Sequence, residues 1–237
     1  KYCTDIFAVS ELAARYTFGN KAVDSGKVRL IKNGIYVEDF IFSEKIRKEK
    51  RKELGLEDKF IVGHVGRFMQ QKNHMFLLET FSGIYKRRKD AHLILIGEGR
   101  LEENIKAKVK ELGISDHVTL LGRRTDVNDL MKAMDILLFP SLWEGFPNVA
   151  IEAQASALPV YMSENITEEA HFSQYSHRLD LAKGPEAWAE KICKDFEKPI
   201  ERIDMSAKMI EEGCNVRETA KWYEQYYLDT YKRIAGE

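Results

Sequence analysis

The sequence predicts an α/β domain built on a doubly wound parallel sheet. Short apolar runs without polar alternation recur along residues 60–162, and segments with apolar residues at helical spacing lie between them. Strands that are apolar on both faces and alternate with helices over short connections are typical of a parallel sheet covered by helices on both sides. Ligands bind such sheets outside the carboxyl ends of the strands, so the loops that follow the strands should carry the functional residues.

The individual elements follow from the same periodicity. Strands are predicted at residues 60–66, 92–96, 118–121, 136–139 and 159–162, and helices at 101–112, 127–134, 148–156 and after Asn73, which could cap its helix. Before this core, strands are predicted at 4–10 and 28–35, with helices at 11–16 and 43–57; after it come a last strand within 164–181 and helices at 185–196, 201–212 and 216–234. The whole pattern is that of a Rossmann-like sheet with C-terminal helices.

Composition narrows the class of protein. The chain has 237 residues, 44% of them apolar, and a formal charge of -1, so no overall field would recruit nucleic acid or a membrane. No apolar run reaches membrane-spanning length. Cys3, Cys193 and Cys214 are scattered, which argues against a disulfide framework and a zinc site and favours a reducing cytoplasm. The charges of residues 43–57 have both signs, which favours a solvated helix over a membrane-binding one.

Two glutamates, Glu144 and Glu152, flank a Gly-Phe-Pro-Asn corner between a predicted strand and a predicted helix. Either Asn148 as the cap or Pro147 in the first turn would start that helix. The free backbone N–H groups expected to point into the corner are those of Asn148, Val149 and Ala150. Such a helix start favours an anion, and a carboxylate at Glu152 beside it could accept hydrogen bonds from two hydroxyls. Together they suit a nucleotide, although Glu152 alone could simply complement the helix dipole.

Cations follow the first strand of the core. Gly66 ends that strand, and Arg67 and Lys72 come directly after it, five residues apart. Two cations at the carboxyl end of a strand are placed to neutralise a diphosphate. The next strand ends in Gly97 and Gly99, but position 102 is glutamate, so the dinucleotide-binding fingerprint fails and a tight turn explains the glycines.

Both stretches resemble motifs of one enzyme family. The glutamate pair resembles the E-x7-E element of retaining glycosyltransferases of GT-B architecture, glycosyltransferase family 4, and is most similar to the EpsF-like branch associated with exopolysaccharide and capsule synthesis. The Gly66, Arg67 and Lys72 segment resembles that family's G-R-x4-K element. The likeness implies a catalytic set of Arg67, Lys72 and Glu144, in which the two cations hold the diphosphate and stabilise its departure.

The resemblance also assigns the donor-binding residues. Glu144 would lie near the transferred sugar with the backbone of Gly145 and Phe146, Glu152 would bind the ribose, and the backbone at Arg123 would hold the base, with uracil expected. Asn148 and Val149 would complete the phosphate site. No cofactor and no metal ion are expected. Two departures are Pro147, which has no N–H to offer a donor, and Ala157, where the family commonly has a helix-ending glycine.

The family's domain plan implies that residues 1–42 are the tail of an N-terminal acceptor domain and a linker. Residues 43–237 would then be the donor-binding domain, whose last helix, with an aromatic stripe expected to be core, crosses back to the N-terminal domain. The implied reaction moves a hexose-type sugar from a UDP-sugar to a polysaccharide or lipid-linked glycan, with peripheral association at the inner face of the plasma membrane. Two alternatives remain: a non-transferring GT-B enzyme such as a sugar-nucleotide 2-epimerase, and a nucleotide-binding module without its own chemistry.

Overall fold

The computed structural model describes residues 5–197 and 200–235, and its core is one parallel sheet. The strands are β1 (Ile6–Ala8), β2 (Val28–Leu30), β3 (Phe60–Val65), β4 (Ala91–Ile96), β5 (Val118–Gly122), β6 (Ile136–Phe139), β7 (Val160–Ser163) and β8 (Ser176–Leu179). The last six form a sheet in the order β5-β4-β3-β6-β7-β8 with every pairing parallel, whereas β1 and β2 form a separate parallel pair. The predicted fold class is confirmed.

The strand order creates one topological switch point. From β3 the chain moves outward through β4 to β5, then returns to place β6 on the other side of β3 and moves outward again. The carboxyl ends of β3 and β6 are therefore neighbours whose following loops diverge to opposite sides, which is where doubly wound sheets form their ligand crevice. Both predicted motifs follow one of these two strands.

Helices cover both faces of the sheet. They are α1 (Glu11–Phe18), α2 (Asn20–Asp24), α3 (Val37–Phe40), α4 (Glu44–Leu54), α5 (His74–Arg87), α6 (Glu102–Glu111), α7 (Val127–Ala133), α8 (Asn148–Ala155), α9 (Gly184–Asp195), α10 (Ser206–Glu211) and α11 (Val216–Ala235). Successive strand residues point to opposite faces: Ile61 packs in the core that contains α7 and α8, and Val62 packs in the core that contains α5 and α9. Both side chains are fully buried, as the unbroken apolar strands predict.

Several secondary-structure elements differ from the sequence predictions, among them the helix predicted at 201–212, which is observed only at Ser206–Glu211. The short helices α2 and α3 were missed, and the predicted strand at 28–35 is only three residues long. Asn73 occupies the N-cap position of α5, as predicted, but does so without a side-chain hydrogen bond. It lies before α5 in the left-handed conformation, with φ of 55°. Asparagine suits this position because it tolerates that conformation better than most residues.

The basic helix α4 is only partly solvated. Arg47 donates to three backbone carbonyls at the end of α7, and Arg51 donates to the carbonyl of Ala133. Both guanidinium groups also pair with Asp135, whose carboxylate accepts from the backbone N–H of Ile61 as well. These cations satisfy carbonyls that a helix end leaves free and complement its negative pole. One side of α4 is therefore structural, which corrects the prediction of a simply solvated helix.

The aromatic stripe of α11 is only partly covered in the part of the chain that the structure describes, where Tyr223 and Tyr226 are half-buried. Trp222, Tyr223 and Tyr226 surround Phe7 at ring-centroid distances of 5.9, 6.4 and 5.1 Å, and Arg29 lies 5.8 Å from the centroid of the Tyr226 ring. Within α11, whose residues are all described, none is buried, and Tyr231 is 67% exposed. Within the described residues this face is therefore not part of the core, and its packing on an N-terminal domain stays a prediction. Helical spacing reports an apolar face but not what covers it.

Candidate active site

The loops that follow β3 and β6 meet at the switch point through an ion pair. Lys72 Nζ lies 2.6 Å from Glu144 Oε1, and the two side chains are only 13% and 11% exposed. Lys72 Nζ also lies 4.5 Å from the centroid of the Phe139 ring, at the end of β6. Two of the three predicted catalytic residues are therefore in direct contact, although they are 72 positions apart in the sequence.

Gln71 joins the same two loops and was missed by the sequence analysis. Its Nε2 donates to Glu144 Oε2 at 3.1 Å and to the Trp143 carbonyl at 2.8 Å. Its own carbonyl accepts from the backbone N–H of Leu142 at 2.8 Å. Adjacent residues thus hold one oxygen each of the Glu144 carboxylate. Nothing in the local sequence marks Gln71, because its role depends on the sheet order that brings the two loops together.

Glycines make room for this arrangement. A Cβ atom on Gly66 would lie 3.0 Å from Lys72 Cε, so the lysine side chain passes closely over the backbone there. A Cβ on Gly97, whose φ is 141°, would lie 2.1 Å from the Gly66 carbonyl oxygen. Gly97 is therefore more than part of a tight turn, since only glycine lets the loop after β4 approach the loop after β3 so closely.

The two predicted arginines stand apart from this ion pair. Arg67 and Arg123 are both exposed, and within residues 5–197 and 200–235 neither side chain has a hydrogen bond or an ion pair. Arg124, the residue after Arg123, differs from both because it forms an ion pair with Asp126 at 2.7 Å. Two unpaired guanidinium groups at the carboxyl edge of the sheet are free to meet a ligand anion. Their ligand roles stay predictions.

The start of α8 differs in detail from both predicted arrangements. Pro147 occupies the capping position without a side-chain hydrogen bond, and Asn148 is the first helical residue, whose side-chain oxygen accepts from Asn33 at 3.0 Å. The N–H of Ala150 donates to the Pro147 carbonyl at 3.0 Å, so it is not free as predicted. Among the described residues, the N–H groups of Asn148 and Val149 have no acceptor, which leaves two donors at the helix start.

Glu152 is a partly buried residue whose carboxyl group faces a cavity. The cavity has a volume of about 480 Å³, and its walls include Val65, Thr125, Val127 and Asn128. In the described part of the chain, the Glu152 side chain makes no hydrogen bond or ion pair, and burial raises the pKa of its carboxyl to about 7. Arg123 does not line this cavity, but Thr125 lies two residues after it. A desolvated acid without a protein partner is the state expected of a group that a ligand completes.

Further buried polar atoms lie near the ends of β3 and β6. His64 Nδ1 lies 2.9 Å from the Leu138 carbonyl, and burial, with His74 and Lys72 nearby, holds the pKa of His64 well below its usual range. Among the described residues, His64 Nε2 and Ser141 Oγ are buried without hydrogen-bond partners. No group of three or more His, Cys, Asp or Glu side chains in that part of the chain is placed to hold a metal ion.

Gly145 and Phe146 are fixed in place by the core and by the segment that contains Ser10. The Phe146 side chain is 6% exposed and belongs to the core, so only its backbone can face a ligand. The Gly145 carbonyl accepts a hydrogen bond from Ser10 Oγ at 2.7 Å. Ser10 also accepts from the N–H of Ala13 at 3.1 Å and so caps α1. The segment before α4 is thereby attached to the loop that carries Glu144.

This double role of Ser10 gives a stability prediction. The Ser10→Ala substitution should lower the free energy of unfolding by about 1–3 kcal/mol, because it removes a helix cap and leaves a carbonyl oxygen unpaired. Urea denaturation followed by circular dichroism measures it. Ser43→Ala is the matched control. Ser43 also caps a helix, α4, by accepting from the N–H of Ile46, but among the described residues its hydroxyl donates to no distant carbonyl. Equal losses in the two variants would show that the Gly145 contact adds no stability.

With this geometry in place, similarity to known proteins identifies the family. Residues 46–215 match the family model described as Glycosyl transferases group 1. This chain belongs to the group 1 glycosyl transferases. The putative glycosyltransferase EpsF of Bacillus subtilis (strain 168) is 35% identical over 193 residues, covering 81% of this chain and 50% of that protein. The similarity to the EpsF-like branch, inferred from the motifs, is confirmed.

Two further comparisons describe this family member. The Escherichia coli UDP-Gal:alpha-D-GlcNAc-diphosphoundecaprenol alpha-1,3-galactosyltransferase is 33% identical over 145 residues, covering 60% of this chain and 38% of that protein. The crystal structure of Anabaena Alr3699/HepE in complex with UDP-glucose superposes with a TM-score of 0.82 at 20% identity, covering 97% of this chain and 65% of that one. The latter shows a shared GT-B glycosyltransferase fold. The chain spans half or less of the length of these two curated relatives.

Among the described residues, no helix combines the length and the apolar character needed to cross a membrane.

Proposed function

We propose that this chain is the donor-binding part, residues 43–237, of a retaining, metal-independent glycosyltransferase that uses a UDP-sugar. Residues 1–42 would connect it to an acceptor domain. The transferred group would be a hexose-type sugar, and the acceptor a polysaccharide or lipid-linked glycan of exopolysaccharide or capsule synthesis. The E. coli relative, named for a UDP-Gal donor and a diphosphoundecaprenol-linked acceptor, supports this class of substrates.

The observation that carries the proposal is the state of Glu152. A carboxyl group with no partner among the described residues lies in a cavity of about 480 Å³, one helical turn from the N–H groups of Asn148 and Val149, which have no acceptor in that part of the chain. A ribose with two adjacent hydroxyls can donate to both carboxylate oxygens, while the helix start accepts a phosphate. A nucleoside diphosphate satisfies both groups at once.

The remaining residues then act on the diphosphate and the sugar. Lys72 and Arg67 would bind the phosphate oxygens and balance the negative charge that grows as the bond from the anomeric carbon to the diphosphate breaks. Glu144, held through both of its oxygens by Lys72 and Gln71, would accept hydrogen bonds from the hydroxyls of the transferred sugar. Lys72 is already neutralised by Glu144. A bound diphosphate must therefore either share the lysine with the Glu144 carboxylate or take the place of that carboxylate as the partner of the lysine.

Ribose recognition can be tested with 2′-deoxy-UDP. At pH 8, calorimetry with the wild-type chain should show 2′-deoxy-UDP binding about 5- to 150-fold more weakly than UDP, because one oxygen of a desolvated carboxylate is left unpaired. The Glu152→Gln variant should largely lose this preference. The Glu144→Gln variant is the matched control and should keep it. Equal affinity of the wild type for both nucleotides would remove Glu152 from the ribose site.

A further inference from the structure

A buried histidine joins the ends of β3 and β6 close to the ion pair. His64 is fully buried, and its Nδ1 lies 2.9 Å from the carbonyl oxygen of Leu138. A carbonyl oxygen only accepts, so Nδ1 carries the proton of the neutral imidazole and Nε2 is left as an acceptor. Burial, with His74 and Lys72 nearby, keeps the pKa of His64 well below its usual range, so the ring is neutral at pH 7. Among the described residues, Nε2 has no hydrogen-bond partner.

The unpaired nitrogen of His64 lies beside the lysine of the ion pair. A Cβ atom placed on Gly66 would lie 3.3 Å from His64 Nε2 and 3.0 Å from Lys72 Cε, so both side chains border the space that this glycine leaves open. The His64 ring also stacks on the Phe139 ring with centroids 6.1 Å apart, and Lys72 Nζ lies 4.5 Å from the centroid of the same Phe139 ring. His64 and Lys72 are therefore neighbours at the switch point.

Lys72 is able to change its partner. An ammonium group has three donors, and one of them is directed to Glu144 Oε1 at 2.6 Å. Rotation about the Cδ–Cε bond moves Nζ between staggered positions without moving the rest of the side chain. Because Lys72 Cε and His64 Nε2 both lie within 3.3 Å of the same point, this rotation offers a way to exchange the glutamate for the histidine.

A bound diphosphate favours that exchange. Its negative charge competes with the Glu144 carboxylate for the ammonium group, and moving Lys72 off the carboxylate costs free energy unless other acceptors take over. A neutral ring nitrogen accepts from the ammonium without adding negative charge beside the phosphates. The Glu144 carboxylate, which Gln71 still holds through Oε2, then becomes available to the hydroxyls of the sugar.

We propose that His64 is a positioning residue that accepts a hydrogen bond from Lys72 when a diphosphate binds, so that Lys72 exchanges Glu144 for the diphosphate and His64. The identity of the diphosphate as that of a nucleotide rests on the proposed function. Of the two arrangements open to the ion pair, this one replaces the Glu144 carboxylate instead of sharing the lysine with it. His64 acts through Lys72 and not on the ligand itself, since no part of its side chain is exposed.

The ring nitrogens of His64 allow a direct test on the wild-type chain. Nitrogen-15 spectra distinguish an imidazole nitrogen that is protonated, one that is unprotonated, and one that accepts a hydrogen bond. The chain has six histidines, and comparison with His64→Asn identifies the His64 signals. With saturating UDP, we expect Nε2 to become hydrogen-bonded while Nδ1 stays protonated. His92 is the internal control, because it is also buried but lies near the start of β4, where its Nε2 contacts Thr119 Oγ1 at 2.8 Å.

A double-mutant cycle tests whether His64 acts through Lys72. The His64→Asn substitution keeps an amide N–H for the Leu138 carbonyl but removes the acceptor at Nε2. In calorimetry it should weaken UDP binding about 2- to 10-fold in the wild-type background and leave it unchanged in the Lys72→Ala background. UMP, which has no second phosphate, should bind His64→Asn as well as it binds the wild type. His92→Asn is the matched control and should change neither affinity.

Three results would each overturn this role of His64. They are an unchanged Nε2 signal at saturating UDP, a UDP-bound ring with both nitrogens protonated, and equal losses of UDP affinity from His64→Asn in the wild-type and Lys72→Ala backgrounds. If His64→Asn does not fold, through-bond correlations assign the wild-type signals and the spectra still decide. Failure of the wild type to bind UDP would instead overturn the proposed function, and inorganic pyrophosphate then becomes the probe. If pyrophosphate does not bind either, both proposals are wrong.

Discussion

Replacing Lys72 with alanine should weaken UDP binding by about 10- to 150-fold and also lower the free energy of unfolding by about 3 kcal/mol. The first effect is the loss of a charge-assisted contact with the diphosphate. The second arises because Lys72→Ala leaves the Glu144 carboxylate, 11% exposed, without its ion-pair partner. A lysine that acted only on the ligand would leave stability unchanged. Calorimetric titration of UDP and urea denaturation measure the two effects separately.

Two variants separate binding from stability. The double variant Lys72→Ala with Glu144→Gln should regain much of the lost stability, because no charge is left unpaired, but it should not regain UDP affinity. Lys106→Ala is the surface control: Lys106 also pairs with a glutamate, Glu102, at 2.8 Å, but both side chains are more than 40% exposed. That variant should hardly change either quantity. Normal UDP affinity in Lys72→Ala would exclude Lys72 from the phosphate site.

The Glu152→Gln substitution should have opposite effects on stability and on binding. At pH 8 it should raise the free energy of unfolding by about 3 kcal/mol, because the wild-type carboxylate is ionised in a desolvated site and has no partner in the described part of the chain. It should weaken UDP binding, because a carboxylate offers one charged oxygen to each ribose hydroxyl, whereas an amide has only one acceptor oxygen and no charge. A glutamate that only complemented the helix dipole would give a stability loss of about 0.3–1 kcal/mol and unchanged UDP binding.

The pH dependence of this effect has a definite sign. The pKa of Glu152 is about 7 in the folded chain against 4.5 for an ordinary glutamate, so the folded state holds this proton more tightly. Wild-type stability relative to Glu152→Gln should therefore fall as pH rises from about 4.5 to 7, and the difference should be constant above that range. Urea denaturation of both proteins from pH 4 to 8 tests this. A difference that does not change with pH would show that Glu152 is ionised normally.

The comparison of two proteins is needed because other groups titrate in the same range. Burial lowers the pKa values of His64 and His74, so acid conditions destabilise the fold through these residues in both proteins. The terminal phosphate of UDP also changes charge near pH 6, again in both titrations. These contributions cancel when the wild type is compared with Glu152→Gln, so the remaining pH dependence of the difference in stability or UDP affinity is due to Glu152. UDP affinity of the wild type should therefore rise more between pH 6 and 8 than that of Glu152→Gln.

The sequence by itself determined the sheet and the positions of the two motifs. Apolar runs such as 60–66 and 136–139 predict buried parallel strands because each residue on either face has to be covered. The motifs could be placed at strand ends from the same pattern, since Lys72 and Glu144 each follow such a run closely. Local spacing is sufficient for these statements because secondary structure depends mainly on neighbours in the chain.

Only the tertiary structure decided how the motifs interact. The return of the chain to place β6 beside β3 brings Lys72 into contact with Glu144, and it gives Gln71 a role that no spacing indicates. The raised pKa of Glu152 likewise depends on burial by residues distant in the sequence. The partly covered aromatic face of α11 shows the same limit, because periodicity predicts an apolar face but not its partner. Contacts, burial and charge depend on which elements become neighbours in space, and that is decided by the packing of the whole chain.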